Sequence, residues 1–388
     1  MIPRLAAGRL GELARGFPVV AVTGPRQSGK TTLVRAEFGD RPYASLEDPD
    51  TREQAQLDPR GFLARFRGGC VLDEIQRAPD LLSYIQGEVD GARAPGRYVV
   101  TGSSNFALLA SISQSLAGRV ATVELLPLSY GEIGGPQLPA AGIDQLLHRG
   151  FYPALYDRDV APADWYRAYV QSYLERDVRQ VINVGNLLDF QRFLRLVAAR
   201  TAQILNLASL AQDAGISQST ARAWLSVLEA GYVIFRLAPY HVNFGKRLVK
   251  SPKVYFIDPG LAANLLGIAD AGQMSVHFAR PALFENLVVV EAIKRRANTG
   301  AQYDCYFWRD NLGNEIDLLV ESGEGLTAIE IKSGATFQPE WLAGLKTWWR
   351  HTAGARRNRP GLVYGGDASF WMNDVAVLGW RDALRMWK

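Results

Sequence analysis

Short apolar runs set between polar turns organise the first third of the chain. Pro18 to Thr23 (PVVAVT), Cys70 to Leu72, Arg97 to Thr101 (RYVVT) and Val120 to Leu125 read as strands, and Leu33 to Phe38 reads as a helix. Pro136, Pro139, Pro153 and Pro162 then mark a connecting region. Tyr166, Tyr169, Val170 and Tyr173 follow at helical spacing, which predicts a helix over 165–179 whose aromatic face packs in a core or between domains. Three helical patterns come next, marked by Phe193, Leu196 and Val197, by Leu207 to Asp213, and by Thr220 to Gly231. The short link Ala214 to Ser217, with Ser217 as N-cap, makes the last two a helix-turn-helix. Strands over Tyr232 to Leu237 and Lys253 to Ile257 would complete a winged fold. Towards the C-terminus a helix over Phe284 to Ala297 precedes strands over Tyr303 to Trp308, Glu315 to Val320 and Leu326 to Lys332, then a helix from Trp341.

The first apolar run leads directly into Gly24-Pro25-Arg26-Gln27-Ser28-Gly29-Lys30-Thr31-Thr32. This is GxxxxGK[ST] between a strand and a helix, the context in which backbone amides curl around phosphates. Lys30 is expected to reach the β and γ oxygens of ATP, and the Thr31 hydroxyl to bind Mg²⁺. A second strand should carry an acid for the metal, and Cys70 to Leu72 ends in Asp73 and Glu74. Asp73 then governs the Mg²⁺ and Glu74 polarises the attacking water, a pairing that favours hydrolysis over binding alone.

These segments resemble a family of bacterial and archaeal AAA-type ATPases whose C-terminal part was long classed as a domain of unknown function. The resemblance rests on GPRQSGKTT at 24–32, LDEIQ at 72–76, TGSSN at 101–105, SLAGR at 115–119 and YLERDV at 173–178, and spans essentially the whole chain. It implies an ATPase core, a winged-helix segment and a nuclease-like end. AAA-type enzymes place a polar γ-phosphate sensor where Ser104 and Asn105 stand, so either could orient the water, Asn105 being the catalytic candidate. Arg119 is the candidate arginine finger, for its own site or for a neighbouring subunit's.

In the middle segment Gln218, Ser219 and Arg222 are available to DNA, while Ala221, Trp224, Leu225 and Leu228 turn inward. Lys246 and Arg247, in a loop with His241 and Lys250, suit phosphate contact, although many such units bind protein instead. At the C-terminal end, alternation puts Glu330 and Lys332 on one face of a strand with Asp317 within reach on the next. This resembles the PD-(D/E)xK superfamily, in which Asp317, Glu330 and Glu285 would bind Mg²⁺ and Lys332 would activate water.

The expected fold class is α/β: a P-loop, AAA-type domain over 1–135, a helical connector over 136–185, a winged helix over 186–275 and a restriction-endonuclease-like domain over 276–388. A length of 388 residues agrees with two or three domains, and 48% hydrophobic against 21% charged residues gives each one a core. A net charge of +4 permits nucleic acid as a partner without requiring it. Cys70 and Cys305 are far apart in apolar runs, which suits buried thiols in a reducing compartment. Residues 1–20 are broken by Arg4, Arg9, Glu12 and Arg15, and no apolar stretch is long enough to span a bilayer, so the cytoplasm is expected, with no membrane partner. The leading expectation is an ATP-driven protein acting on DNA as a homo-oligomer, with a hexameric ring compatible with a finger in trans. A regulatory switch of the signal-transduction ATPase type comes second. A toxin-like metal nuclease comes third.

Overall fold

The computed structural model describes residues 2–91, 94–103, 115–134, 142–174, 187–240, 251–351 and 358–386. Its contacts divide into two compact units, Met1–Leu128 with Ala230–Tyr232 and Ala297–Gly300, and Ser129–Glu229 with Val233–Arg296 and Ala301–Lys388.

The first unit is built on a parallel sheet of β1 (Val19–Gly24), β2 (Tyr43–Ser45), β3 (Cys70–Asp73), β4 (Tyr98–Ser103) and β5 (Val120–Glu124), in the order 2-3-4-1-5. Helices α1 (Ala6–Gly16), α2 (Lys30–Glu37), α3 (Pro49–Leu57), α4 (Pro59–Ala64) and α5 (Leu81–Gly91) complete it. Successive strand residues go to opposite faces. Val19, Ala21, Cys70, Leu72, Tyr98 and Val100 enter one apolar cluster, and Val20, Val22, Val71 and Val99 enter another. A strand covered on both faces has no polar side, which is why these segments read as unbroken apolar runs. In a parallel sheet all strands end along one edge, and here Gly24, Asp73 and Ser103 share it. Helix α2 starts at Lys30, three residues before the apolar pattern does, because Gly29 at φ 92° ends the loop in a conformation a side chain resists.

The second unit opens with α6 (Ile143–Arg149), α7 (Ala154–Asp157) and α8 (Pro162–Tyr169). Pro162 starts α8 instead of breaking it, since a first-turn proline lacks only an N–H that has no helical partner. The helix continues as a π-helical turn over Val170–Leu174. Then come α9 (Leu187–Ala198), β6 (Gln203–Ile204), α10 (Leu207–Ala214), α11 (Gln218–Ala230), β7 (Ile234–Pro239) and β8 (Lys253–Phe256). Gly215 at φ 71° turns the chain between α10 and α11, and the Ser217 hydroxyl accepts from the Thr220 amide at 3.0 Å. Trp224 on α11 packs edge-on against Phe190 and Phe193 of α9.

The remaining elements are α12 (Pro259–Leu265), α13 (Ala271–Val276), α14 (Arg280–Thr299), β9 (Tyr303–Arg309), β10 (Glu315–Ser322), β11 (Gly325–Lys332), α15 (Ala343–His351), β12 (Gly361–Tyr364), β13 (Phe370–Met372), β14 (Val375–Gly379) and α16 (Trp380–Met386). One nine-stranded sheet runs 13-14-12-11-10-9-7-8-6. Its joint is a parallel pairing of β7 with β9, Ala238 opposite Tyr306 and Pro239 opposite Phe307, so the sheet crosses the boundary expected at 275. The tail, which shows no motif, supplies β12, β13 and β14 to this sheet. Trp348 and Trp380 are buried, whereas Trp349 and Trp371 are 40% and 59% exposed.

Candidate nucleotide site and the C-terminal carboxylate cluster

The loop of residues 24–31 is shaped by its glycines. Gly24 has φ 144°, and a Cβ there would lie 2.2 Å from the Leu125 carbonyl oxygen, so no other residue fits this approach. Arg4 braces the loop from outside, donating to the Ser28 carbonyl at 2.6 Å and the Leu126 carbonyl at 2.7 Å. The Lys30 amine turns back onto the Gly24 and Pro25 carbonyls at 3.1 and 2.8 Å. Burial pushes that amine down to about 8, with Arg26 adding to the effect and Glu74 and Asp73 opposing it. The Ser28 hydroxyl is buried and, among the described residues, meets no hydrogen-bonding group.

Asp73 is the hub of the site. Its carboxylate accepts from the Thr31 hydroxyl at 2.9 Å, from the Tyr43 hydroxyl at 2.6 Å and from the Thr101 hydroxyl. Three strands and the first turn of α2 are thereby tied to one side chain that is 5% exposed. Glu74 follows in the left-handed region at φ 58° and its amide donates to Thr101 at 3.2 Å. The Gln76 amide holds the Glu74 carboxylate and also donates to Ser103 at 3.0 Å. Tyr43, Thr101, Gln76 and Arg4 thus join the site without having been singled out by the sequence. Gln76 and Thr101 carried a signal, as the last residue of LDEIQ and the first of TGSSN.

Arg119 stands elsewhere. It forms a bidentate pair with Asp90 at 2.6 and 2.8 Å and precedes Val120, which pairs with Val19 at the start of β1. The loop follows Gly24 at the other end of that strand, roughly 16 Å away at about 3.3 Å per residue. Arg119 thus starts from the opposite end of the strand, with its guanidinium held by Asp90. Asn105 and Ser104 lie outside the described residues, as do Lys246 and Arg247. Gln218, Ser219 and Arg222 are exposed at the start of α11, with Ala221, Trp224, Leu225 and Leu228 buried behind them.

At the C-terminal end Asp317 and Glu330 stand opposite each other on β10 and β11, as the strand alternation predicts. Asp317 accepts from the Ile331 amide at 2.8 Å, and Lys332 donates to Glu330 at 2.5 Å. Glu285 on α14 accepts from the Tyr255 hydroxyl at 2.7 Å and from the Lys253 amine at 3.0 Å. That same amine contacts Glu315 and lies 3.8 Å from Asp317. Among the described residues no group of three or more His, Cys, Asp or Glu side chains is placed to hold a metal ion. Lys253 thus stands among Glu285, Asp317 and Glu330, the carboxylates expected to bind Mg²⁺. Burial, then the Asp317 charge, pushes Glu285 up to about 7 and Glu330 up to about 8. Burial works against the Lys253 charge, yet Glu285, Asp317 and Glu315 outweigh it and raise its affinity for the proton. Lys253 was legible only as the first letter of an apolar strand. Its alternation with Tyr255, which reaches the same glutamate, was the available signal.

A family model described as an AAA domain matches residues 16–134. Two further models, both described as domains of unknown function (DUF8612 and DUF4143), match 141–272 and 280–382. The uncharacterized proteins Rv2008c of Mycobacterium tuberculosis and Mb2031c of Mycobacterium bovis are each 32% identical over 377 residues, covering 96% of this chain and 82% of theirs. Among solved structures, the Walker-type ATPase PABY2304 of Pyrococcus abyssi is 17% identical over 67% of this chain and 94% of its own, with a TM-score of 0.46. No described helix is long and apolar enough to cross a membrane.

Proposed function

The chain belongs to the same family as the two mycobacterial proteins and is an ATPase with an N-terminal AAA domain, and from this we propose that ATP turnover drives a DNA-contacting unit. The observation that carries the ATPase half is the Asp73 hub beside Lys30 and Glu74. Its hard oxygen donors and the buried Ser28 hydroxyl, unengaged among the described residues, suit Mg²⁺ and a triphosphate. Thr31 and Asp73 would hold the Mg²⁺, which would offset charge on the phosphates. Glu74, held by Gln76, accepts the proton of the attacking water. Lys30 exchanges the Gly24 and Pro25 carbonyls for phosphate oxygens.

That exchange has a measurable proton cost. The free lysine is neutral above about pH 8 instead of 10.5, whereas a triphosphate favours its charged form. ATP binding between those pH values is therefore expected to take up protons, and affinity to fall as pH rises through 8. Calorimetry in two buffers of different ionisation heat measures the uptake; equal heats would show that Lys30 keeps its proton when free.

The DNA half rests on the exposed start of α11, with Gln218, Ser219 and Arg222 on a helix whose other face is packed. Arg222→Ala is expected to weaken duplex binding across sequences and to lower the salt dependence by about one phosphate contact. An unchanged salt slope would remove Arg222 from the interface. A regulatory switch is the second reading, favoured by the Asp90 clamp on Arg119, which leaves a single chain without a finger. Homo-oligomers with Arg119 acting in trans would serve the motor reading. The deciding experiment is ATPase rate with and without single-stranded, duplex and branched DNA, together with the mass of the assembly. Stimulation by one DNA form in a ring supports the motor; slow turnover indifferent to DNA supports the switch.

A further inference from the structure

We infer that the Lys253 ammonium is the resident cation of the C-terminal carboxylate cluster, so that this unit takes no divalent metal and cuts no phosphodiester by metal-activated water. A restriction-endonuclease-like site needs carboxylates on two neighbouring strands and on the helix packed against them, converging on one point that a divalent ion can enter. The acids are here, Asp317 and Glu315 on β10, Glu330 on β11 and Glu285 on α14. Their point of convergence belongs to β8. Lys253 is 3% exposed by side chain and its amine sits 3.0 Å from Glu285 and 3.8 Å from Asp317, in contact with Glu315 as well. An ion at that point would have to displace the ammonium from the carboxylates it already pairs with, against the repulsion of a fixed positive charge at a few ångströms.

A second cation pairs with the remaining glutamate. Lys332, in the role expected to activate water, instead ion-pairs with Glu330 at 2.5 Å. The other Glu330 oxygen is buried and, among the described residues, meets no hydrogen-bonding group. A cavity of about 400 Å³ lined by Glu285, Asp317, Lys332, Gln203 and Trp341 opens beside the cluster, so access is not what excludes the ion. The unit has kept the carboxylate geometry and replaced its cation with a covalently attached one. Its contribution to the protein is then binding, not cleavage.

Mn²⁺ binding by the full-length, nucleotide-free protein tests this, read from loss of the free-ion electron paramagnetic resonance signal. Wild type and Asp317→Asn are expected to take up the same amount, because any ion bound lies outside the cluster. Lys253→Met is expected to gain a site at least about tenfold tighter, and Lys253→Met/Asp317→Asn to lose it. Uptake by wild type that disappears with Asp317→Asn would overturn the inference, as would a folded Lys253→Met, checked by circular dichroism, that binds no more Mn²⁺ than wild type. If Lys253→Met does not fold, the wild-type and Asp317→Asn pair decides alone. Plasmid nicking by wild type in Mg²⁺ or Mn²⁺ that stops in Asp317→Asn would overturn it independently.

Discussion

Glu74→Gln is expected to leave ATP binding intact and to slow hydrolysis by about 10²- to 10⁴-fold, the usual worth of a positioned general base. The substitution keeps size and shape but cannot accept a proton. Binding should persist because the loop geometry depends on Gly24, Gly29, Arg4 and Asp73, none of which uses the Glu74 side chain. The carboxylate is close enough to Lys30 for its charge to raise the lysine's proton affinity, and the Gln76 amide fixes its direction from Ser103. Gln76→Ala should therefore lower kcat by less and leave KM nearly unchanged, as loss of orientation does. Phosphate release and equilibrium binding of a fluorescent ATP analogue measure the two parts. Turnover by Glu74→Gln within a few-fold of the parent would assign the base elsewhere.

Lys294→Met should destabilise the second unit by about 3–5 kcal/mol, the range for breaking a buried ion pair from one side. Lys294 and Glu291 lie 2.9 Å apart on α14, 0% and 1% exposed by side chain. The glutamate also accepts from the Tyr130 amide at 2.8 Å, and the lysine amine stands 4.1 Å from the centre of the Phe151 ring. Burial already holds the Glu291 carboxyl above its usual range, with Lys294 pulling it back down. Removing the lysine removes that pull, so the variant's glutamate binds its proton more tightly still. A raised carboxyl favours the folded state below its ordinary pKa of 4.5 and loses that advantage as pH rises through the folded value. The deficit of Lys294→Met is accordingly expected to shrink as pH is lowered towards that range and to be largest at neutral pH. Urea unfolding across that interval measures it. Lys294→Met/Glu291→Gln, which keeps an acceptor for Tyr130 without a charge, should recover most of the loss. A single variant within about 1 kcal/mol of the parent at neutral pH would mean that the pair contributes little.

What the sequence settled by itself is whatever is contiguous in it. The phosphate loop occupies nine successive residues, and its shape is set by the local backbone freedom of Gly24 and Gly29, so reading the letters amounts to reading the conformation. The turn between α10 and α11 was legible for the same reason, since Gly215 and Ser217 act on their immediate neighbours. Strand order and register are non-local, and they decided everything else. They put β4 between β1 and β3, which brings Thr101 onto Asp73, and they set Arg119 at the far edge of the sheet. They also joined β7 to β9 and delivered Lys253 into the carboxylates of β10 and α14, distant in sequence and a few ångströms apart in space. A motif can promise a set of acids, but the charge that shares their space comes from a strand the motif does not contain, and only packing the sheet reveals it.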